Sequence, residues 1–330
     1  MDDMDEAMAD APAAEEPQPP SPKDVVDVLA ELGYAYRAPE GGSVSDERLV
    51  QLDNDTKGFE WKGQENYDAV ASACALYCKT RLVLACGLME TALGDARCWA
   101  RPDDAGPDAP IVFLVCGSFP GGSAGVWGRS LCVNATLREG AMFDYVERCR
   151  AEKWNVVIAD PNVSEESGRS VEGSETPHRH LSTLYSRAIH PDETRPILIV
   201  AHSYGASAVA FLFKDKPACR ERIVGVALTD GCALYGSILK EEVPPSGSAR
   251  LKKTKELVPA AFADDADANA AYAMVARNFV SSPEPAGTPL PGRGPFESVS
   301  AGHTSHPATT HAATDVVFAY LKEKLDAATK

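Results

Sequence analysis

Residues 196–208 constrain the fold more than any other stretch of the chain. Ile197-Leu198-Ile199-Val200 runs straight into Ala201-His202-Ser203-Tyr204-Gly205, and small and apolar residues continue beyond it. An unbroken branched apolar run of this kind belongs to a strand buried on both faces, as in a parallel sheet covered by helices. A serine at a sharp turn from such a strand into a helix is held in a strained backbone conformation and needs small residues two before and two after it. Ala201 and Gly205 supply them, with alanine standing where the consensus has glycine. The same residues also read as a plain strand-to-helix connection in which Ser203 caps the helix.

The rest of the chain repeats the rhythm. Apolar runs at 111–116, 156–159 and 223–228 read as further strands, with a shorter one at 296–300. Helical spacing is predicted over 65–86, 141–152, 180–189, 270–279 and 314–325. A hairpin is expected around Gly41-Gly42, a flexible surface loop over 163–176, and a loop or partly helical insertion over 236–268. Strands alternating with helices predict an α/β fold with a mostly parallel sheet and helices on both faces. The expected organisation is a disordered acidic tail over 1–22 and one domain over 23–330. Ser203, Asp230, the glycine-rich loop 117–125 and the histidines after residue 300 then share the edge where the strands' carboxyl ends point.

Charge excludes some functions. Of the formal −16, residues 1–22 contribute seven acidic side chains and no basic ones, which leaves the remainder at about −9. A body this acidic is a poor general binder of nucleic acid, so direct nucleic-acid binding is not expected. The nine cysteines contain no C-x-x-C pair, and Cys74, Cys86, Cys116 and Cys132 sit in apolar runs. They read as buried small hydrophobes in a reducing compartment. No secretory leader or membrane-spanning run is expected.

The expected chemistry follows from order along the chain. A serine hydroxyl needs a histidine to take its proton and a carboxylate to hold that histidine. In hydrolases of this architecture the three follow as serine, acid, histidine, and here Ser203 is followed by Asp230, His303 and His306. The expected set is Ser203 as nucleophile, His306 as base and Asp230 as acid. His303 is the alternative base, and Asp264, Asp265 and Asp267 are alternative acids; spacing does not separate the two histidines. Bland readings stand beside these: Asp230 as a turn residue before Gly231, the histidines as loop or cap residues. Oxyanion donors are expected from the N–H of Tyr204 and from Gly117 and Ser118. The loop lacks both the G-x-G-x-x-G spacing and a P-loop lysine, so no nucleotide is expected. His178, His180, His303, His306 and His311 lack a metal-binding pattern, so neither metal nor cofactor is expected. A small ester-like ligand is the class such a site would take.

Four segments carry a family resemblance. They are Gly125-Val126-Trp127-Gly128-Arg129-Ser130-Leu131, Asp160-Pro161-Asn162, Ala201-His202-Ser203-Tyr204-Gly205, and an ending assembled from three pieces. Those pieces are Arg277-Asn278-Phe279-Val280-Ser281-Ser282, Gly287-Thr288-Pro289-Leu290 and Val299-Ser300-Ala301-Gly302-His303-Thr304-Ser305-His306. In this order, over roughly 58–325, they resemble the Argonaute-binding-protein-two (Arb-two) domain. That domain is found in a fission-yeast RNA-silencing protein, in animal cotranscriptional regulators and in some fungal histone deacetylases. Phe279 stands where the family usually has Trp and Asp160 where it has Asn, and His306 is the histidine that matches by position. The resemblance implies an α/β-hydrolase-like fold, a nuclear location, and protein partners from the RNA-silencing or chromatin machinery, Argonaute among them. A cytoplasmic location is the alternative.

Overall fold

The computed structural model describes residues 28–100, 105–119, 121–122, 124–188, 194–232, 236–242, 252–258, 265–291 and 297–329. The tail over 1–22 and Asp264 lie outside the described residues.

Eight strands form the central sheet. In chain order they are β1 (Met89–Leu93), β2 (Ala96–Ala100), β3 (Ile111–Val115), β4 (Asn155–Ala159), β5 (Ile197–His202), β6 (Ile223–Thr229), β7 (Ala276–Val280) and β8 (Glu297–Ser300). Across the sheet the order is β1-β2-β4-β3-β5-β6-β7-β8. Every pairing from β4 to β8 is parallel, while β2 runs against both β1 and β4. This order, reversed only at the second strand, is that of an α/β-hydrolase sheet.

Side chains alternate between two faces along each strand, and each face is closed by its own helices. Val112, Leu114, Leu198 and Val200 pack with α1 (Gln64–Leu84), α2 (Phe143–Ala151) and α6 (Thr314–Ala328) through Cys74, Leu82, Phe143, Val146, Phe318 and Leu321. Phe113, Val115, Ile199 and Ala201 pack with α3 (Pro177–Ala188), α4 (Gly205–Asp215) and α5 (Ala266–Val275) through Leu181, Leu184, Val209, Phe213 and Tyr272. Burying each of the larger of these side chains stabilises the fold by about 1.5–3 kcal/mol. This is why the central runs have no polar alternation. Eight of the nine cysteines are buried and free, as their apolar settings predict.

Several expectations need correction. Within 236–268, expected as a loop or partly helical insertion, the described residues Gly236–Glu242 and Lys252–Val258 pair as an antiparallel hairpin, with Glu241 opposite Lys253 and Glu242 opposite Lys252. Within 163–176, Glu165–Glu166 pairs with Arg169–Ser170 around a turn at Ser167 and Gly168. The helix expected over 270–279 lies at Ala266–Val275, and residues 276–280 form β7 instead. β7 is held between β6 and β8, and that long-range pairing overrides local helical spacing. The edge hairpin of β1 and β2 carries no strong apolar run and had no counterpart in the sequence reading. The hairpin expected around Gly41-Gly42 is present as Tyr34–Arg37 against Arg48–Gln51.

Candidate active site

β5 ends at His202 and α4 begins at Gly205, so the chain reverses at Ser203, whose φ is 52°. Only four described non-glycine residues have positive φ, and two of them are Ser203 and Asp230. Left-handed backbone at a non-glycine residue costs energy and persists only where the surroundings impose it. Gly205 follows for steric reasons: a Cβ there would lie 2.7 Å from the Cys116 carbonyl oxygen and 2.9 Å from that of Val115. The helix-cap reading of Ser203 does not describe the structure. The α4 N-cap is Tyr204, with no side-chain cap, and the Ser203 hydroxyl points elsewhere.

It points to His306. Ser203 Oγ lies 2.9 Å from His306 Nε2, and His306 Nδ1 lies 2.6 Å from Asp230 Oδ2. An ionised carboxylate only accepts, so Nδ1 carries the ring proton and Nε2 accepts from the serine hydroxyl. Asp230 sits at the end of β6, where its N–H donates to the Phe279 carbonyl and its Oδ1 accepts the Ser281 N–H at 3.0 Å. Burial pushes the Asp230 carboxyl up, but the hydrogen bonds from His306 and Ser281 outweigh it and hold the group below its usual range. His306 opens the short helical turn His306–Ala308 and remains 46% exposed, so the relay faces solvent on one side.

The structure therefore brings Ser203, His306 and Asp230 together and leaves the alternatives out. His303 Nδ1 accepts the Ser305 N–H. Asp265 caps α5 through Ala268 N–H and pairs with Arg220, and Asp267 lies exposed in the first turn of α5. His178 bonds Ser207 and His180 bonds Ser174, and no described cluster of His, Cys, Asp and Glu is placed to hold a metal ion.

The glycine-rich loop reaches the serine closely. A Cβ at Gly117 would stand 3.0 Å from Ser203 Cβ, so the backbone passes where only glycine fits. Asn162 holds this loop from both sides: its Nδ2 donates to the Gly117 carbonyl at 2.8 Å and its Oδ1 accepts the Phe119 N–H at 3.3 Å. Asp160, buried at the end of β4, accepts the Ala124 N–H and lies 3.7 Å from Lys79 Nζ. The N–H groups of Gly117, Ser118 and Tyr204 donate to no other described residue.

Three neighbours of the relay were missed by the sequence reading. His202 is buried, its Nδ1 3.0 Å from the Thr229 carbonyl, and its ring lies 4.8 Å from that of His306. Burial first, and the His306 ring second, push its pKa down to about 4, so it is neutral. Cys232 is the exposed cysteine; its Sγ is 3.5 Å from Ser203 Oγ and its N–H donates to the Ser203 carbonyl. Asn162 appeared only as part of a motif, although an Asx side chain at a strand's carboxyl end is a recognisable signal for backbone clamping. A cavity of about 380 Å³ opens on Ser203, His306 and His202 and extends past Phe119 to Trp127 and Arg129.

No family model matches the chain. It is 28% identical over 216 residues to a FAM172 family protein homologue of Caenorhabditis elegans, an alignment covering 61% of this chain and 64% of that protein. It is 25% identical over 141 residues to a cotranscriptional regulator ARB2A homologue of Dictyostelium discoideum, covering 32% and 37%. The chain is therefore similar in sequence to a FAM172 homologue and to an ARB2A homologue. It spans less than two thirds of the length of either. Among solved structures it overlaps the histone deacetylase Clr3 with a TM-score of 0.47 at 13% identity, over 82% of this chain and 41% of that one. It overlaps Est1E from Butyrivibrio proteoclasticus with a TM-score of 0.44 at 14% identity, over 74% and 99%. The similarity to the ARB2A homologue agrees with the Arb-two resemblance carried by the four motif segments.

Proposed function

We propose that this chain is a cotranscriptional regulator that works in the nucleus among chromatin and RNA-silencing proteins, and that its hydrolase-fold site retains serine chemistry. The regulatory half is supported by the relative named as a cotranscriptional regulator and by the Arb-two resemblance. The chemical half is supported by one observation, the unbroken hydrogen-bond relay from Asp230 through His306 to Ser203. In this reading His306 Nε2 takes the Ser203 proton as Oγ attacks the carbonyl of an ester, thioester or amide. The N–H of Tyr204 and those of Gly117 and Ser118 receive the developing oxyanion. His306 returns the proton to the leaving group, and water then releases the acyl group by the same steps in reverse order of roles.

Two experiments test the two halves. A fluorophosphonate probe is expected to label the full chain and not Ser203→Ala; if neither is labelled, the nucleophile is rejected. Affinity capture from nuclear extract is expected to recover Argonaute, chromodomain or histone-modifying proteins. Recovery of none rejects the regulatory half.

A further inference from the structure

His202 is a buried titratable group beside the relay that the proton path does not use. It is 3% exposed and is the last residue of β5, directly before Ser203. Its Nδ1 lies 3.0 Å from the Thr229 carbonyl, 3.3 Å from Thr229 Oγ1 and 3.1 Å from Thr310 Oγ1. A carbonyl only accepts, so Nδ1 carries the proton and the tautomer is fixed. The two threonine hydroxyls are themselves 2.7 Å apart, and both residues are fully buried. The same Thr229 carbonyl also accepts the Ser203 N–H.

The partners belong to the two elements that carry the rest of the relay. Thr229 ends β6 immediately before Asp230, and Thr310 lies in the short helix Thr309–Ala312 that continues from His306–Ala308. One imidazole is thus tied to the chain just before the acid and just after the base, while its own backbone leads into the serine. Its ring also lies against the His306 ring, with centroids 4.8 Å apart and planes tilted by 33°, a separation at which ring pairs attract. A buried polar network satisfied in this way specifies a single arrangement of the groups it joins. Burial also holds His202 neutral, so it does not repel the positive charge that His306 gains on taking the serine proton.

We propose that His202 is a positioning residue of this site: it sets the plane of the His306 ring, and with it the alignment of the hydrogen bonds to Asp230 and Ser203, without itself carrying the proton. The reading of Ser203 as nucleophile enters only through the rate of labelling; the hold on His306 stands apart from it. Misplacing a reacting group by about 1 Å can cost about a hundredfold in rate, which is the scale of the effect expected of His202.

The test uses the full chain and reads both the rate of fluorophosphonate labelling and the proton NMR signal of the His306 Nδ1–H. A proton in a bond of 2.6 Å to a carboxylate resonates far downfield of the amides, and its absence from Asp230→Asn assigns it. His202→Leu, close in volume but with neither ring nor donor, is expected to slow labelling about a hundredfold and to shift or broaden that signal. His202→Asn, whose amide can donate to the Thr229 carbonyl, is expected to recover labelling to within about tenfold of wild type. A residue that merely fills the core would lower the melting temperature and leave the downfield signal unchanged. Labelling of a folded His202→Leu within about threefold of wild type, an unchanged downfield signal, or no recovery in a folded His202→Asn overturns the proposal. Should His202→Leu not fold, Thr310→Val decides. It removes one tie and is expected to slow labelling about threefold and to shift the signal, whereas no change in either overturns the proposal. If the wild-type chain is not labelled, the serine chemistry falls, and the downfield signal in wild type and variants still decides the role of His202.

Discussion

Two aspartates stand at the carboxyl ends of strands in one sheet, Asp160 after β4 and Asp230 after β6, and the fold uses them in opposite ways. Asp160 is 2% exposed at its side chain and spends its carboxylate inward, on the Ala124 N–H and on Lys79. Even its backbone N–H is engaged, donating to His180 Nε2. Asp230 is 18% exposed, sits at φ 52°, and turns one oxygen toward a histidine that solvent reaches. Residue type and topological position are the same. What differs is whether the partner is a fixed cation and backbone or a titratable ring, and that decides between a brace and a member of a relay.

The largest expected effect separates these two roles most sharply. Asp230→Asn keeps the shape but no longer favours the Nδ1–H form of His306, so fluorophosphonate labelling is expected to slow by about two to four orders of magnitude. The melting temperature should move little. A large stability loss with unchanged labelling would dissolve the contrast. Asp160→Asn is expected to do the reverse, lowering stability by about 2–3 kcal/mol in denaturant titration. The effect stays below that of a fully buried pair because the Lys79 side chain is 30% exposed.

Each aspartate also has a neutral buried histidine near it, and this predicts a pH dependence. Burial lowers both His180 and His202 from 6.5 to about 4. A depressed folded pKa means that the unfolded chain binds the proton first, so stability is full above about pH 6.5 and is lost as pH falls toward 4. Each histidine contributes about 3 kcal/mol over that window. Thermal melts at stepped pH should show the loss, and His202→Asn should flatten the curve by about half. An unchanged slope would place the titration elsewhere.

The smallest effect sharpens the role of the Asp160 side. Asn162→Ala removes the clamp on the loop backbone and should cost only about 1–2 kcal/mol of stability. Labelling of Ser203 should nevertheless fall about tenfold, because the Gly117 and Ser118 N–H groups lose their orientation toward the oxyanion. Full labelling by Asn162→Ala would mean that the loop orients itself.

Legibility in the sequence followed the range of the interaction. The central strands β3, β4, β5 and β6 were readable because burial on both faces demands an uninterrupted apolar run, which is a local property. The edge strands β1 and β2 were not, since one-sided exposure relaxes the pattern. β7 was read as helix because Ala, Met and Val before it have helical spacing, and only its two parallel neighbours make it a strand. At the site, the elbow at Ser203 was visible from Ala201 and Gly205, while the clamp by Asn162 crosses 45 residues to Gly117 and leaves no local trace beyond its residue type.

By itself the sequence determined a parallel α/β sheet, an edge where its strands end, and a serine held in a sharp turn at that edge. It placed a serine, an acid and two histidines there in order. Only the tertiary structure shows His306 rather than His303, and Asp230 rather than Asp265 or Asp267, at hydrogen-bonding distance in one relay with Ser203. The reason is geometric: the bond from His306 to Ser203 spans 103 residues and that to Asp230 spans 76. A hydrogen bond is set within a few tenths of an ångström by how three separate loops close over one sheet, and no spacing along the chain encodes that closure.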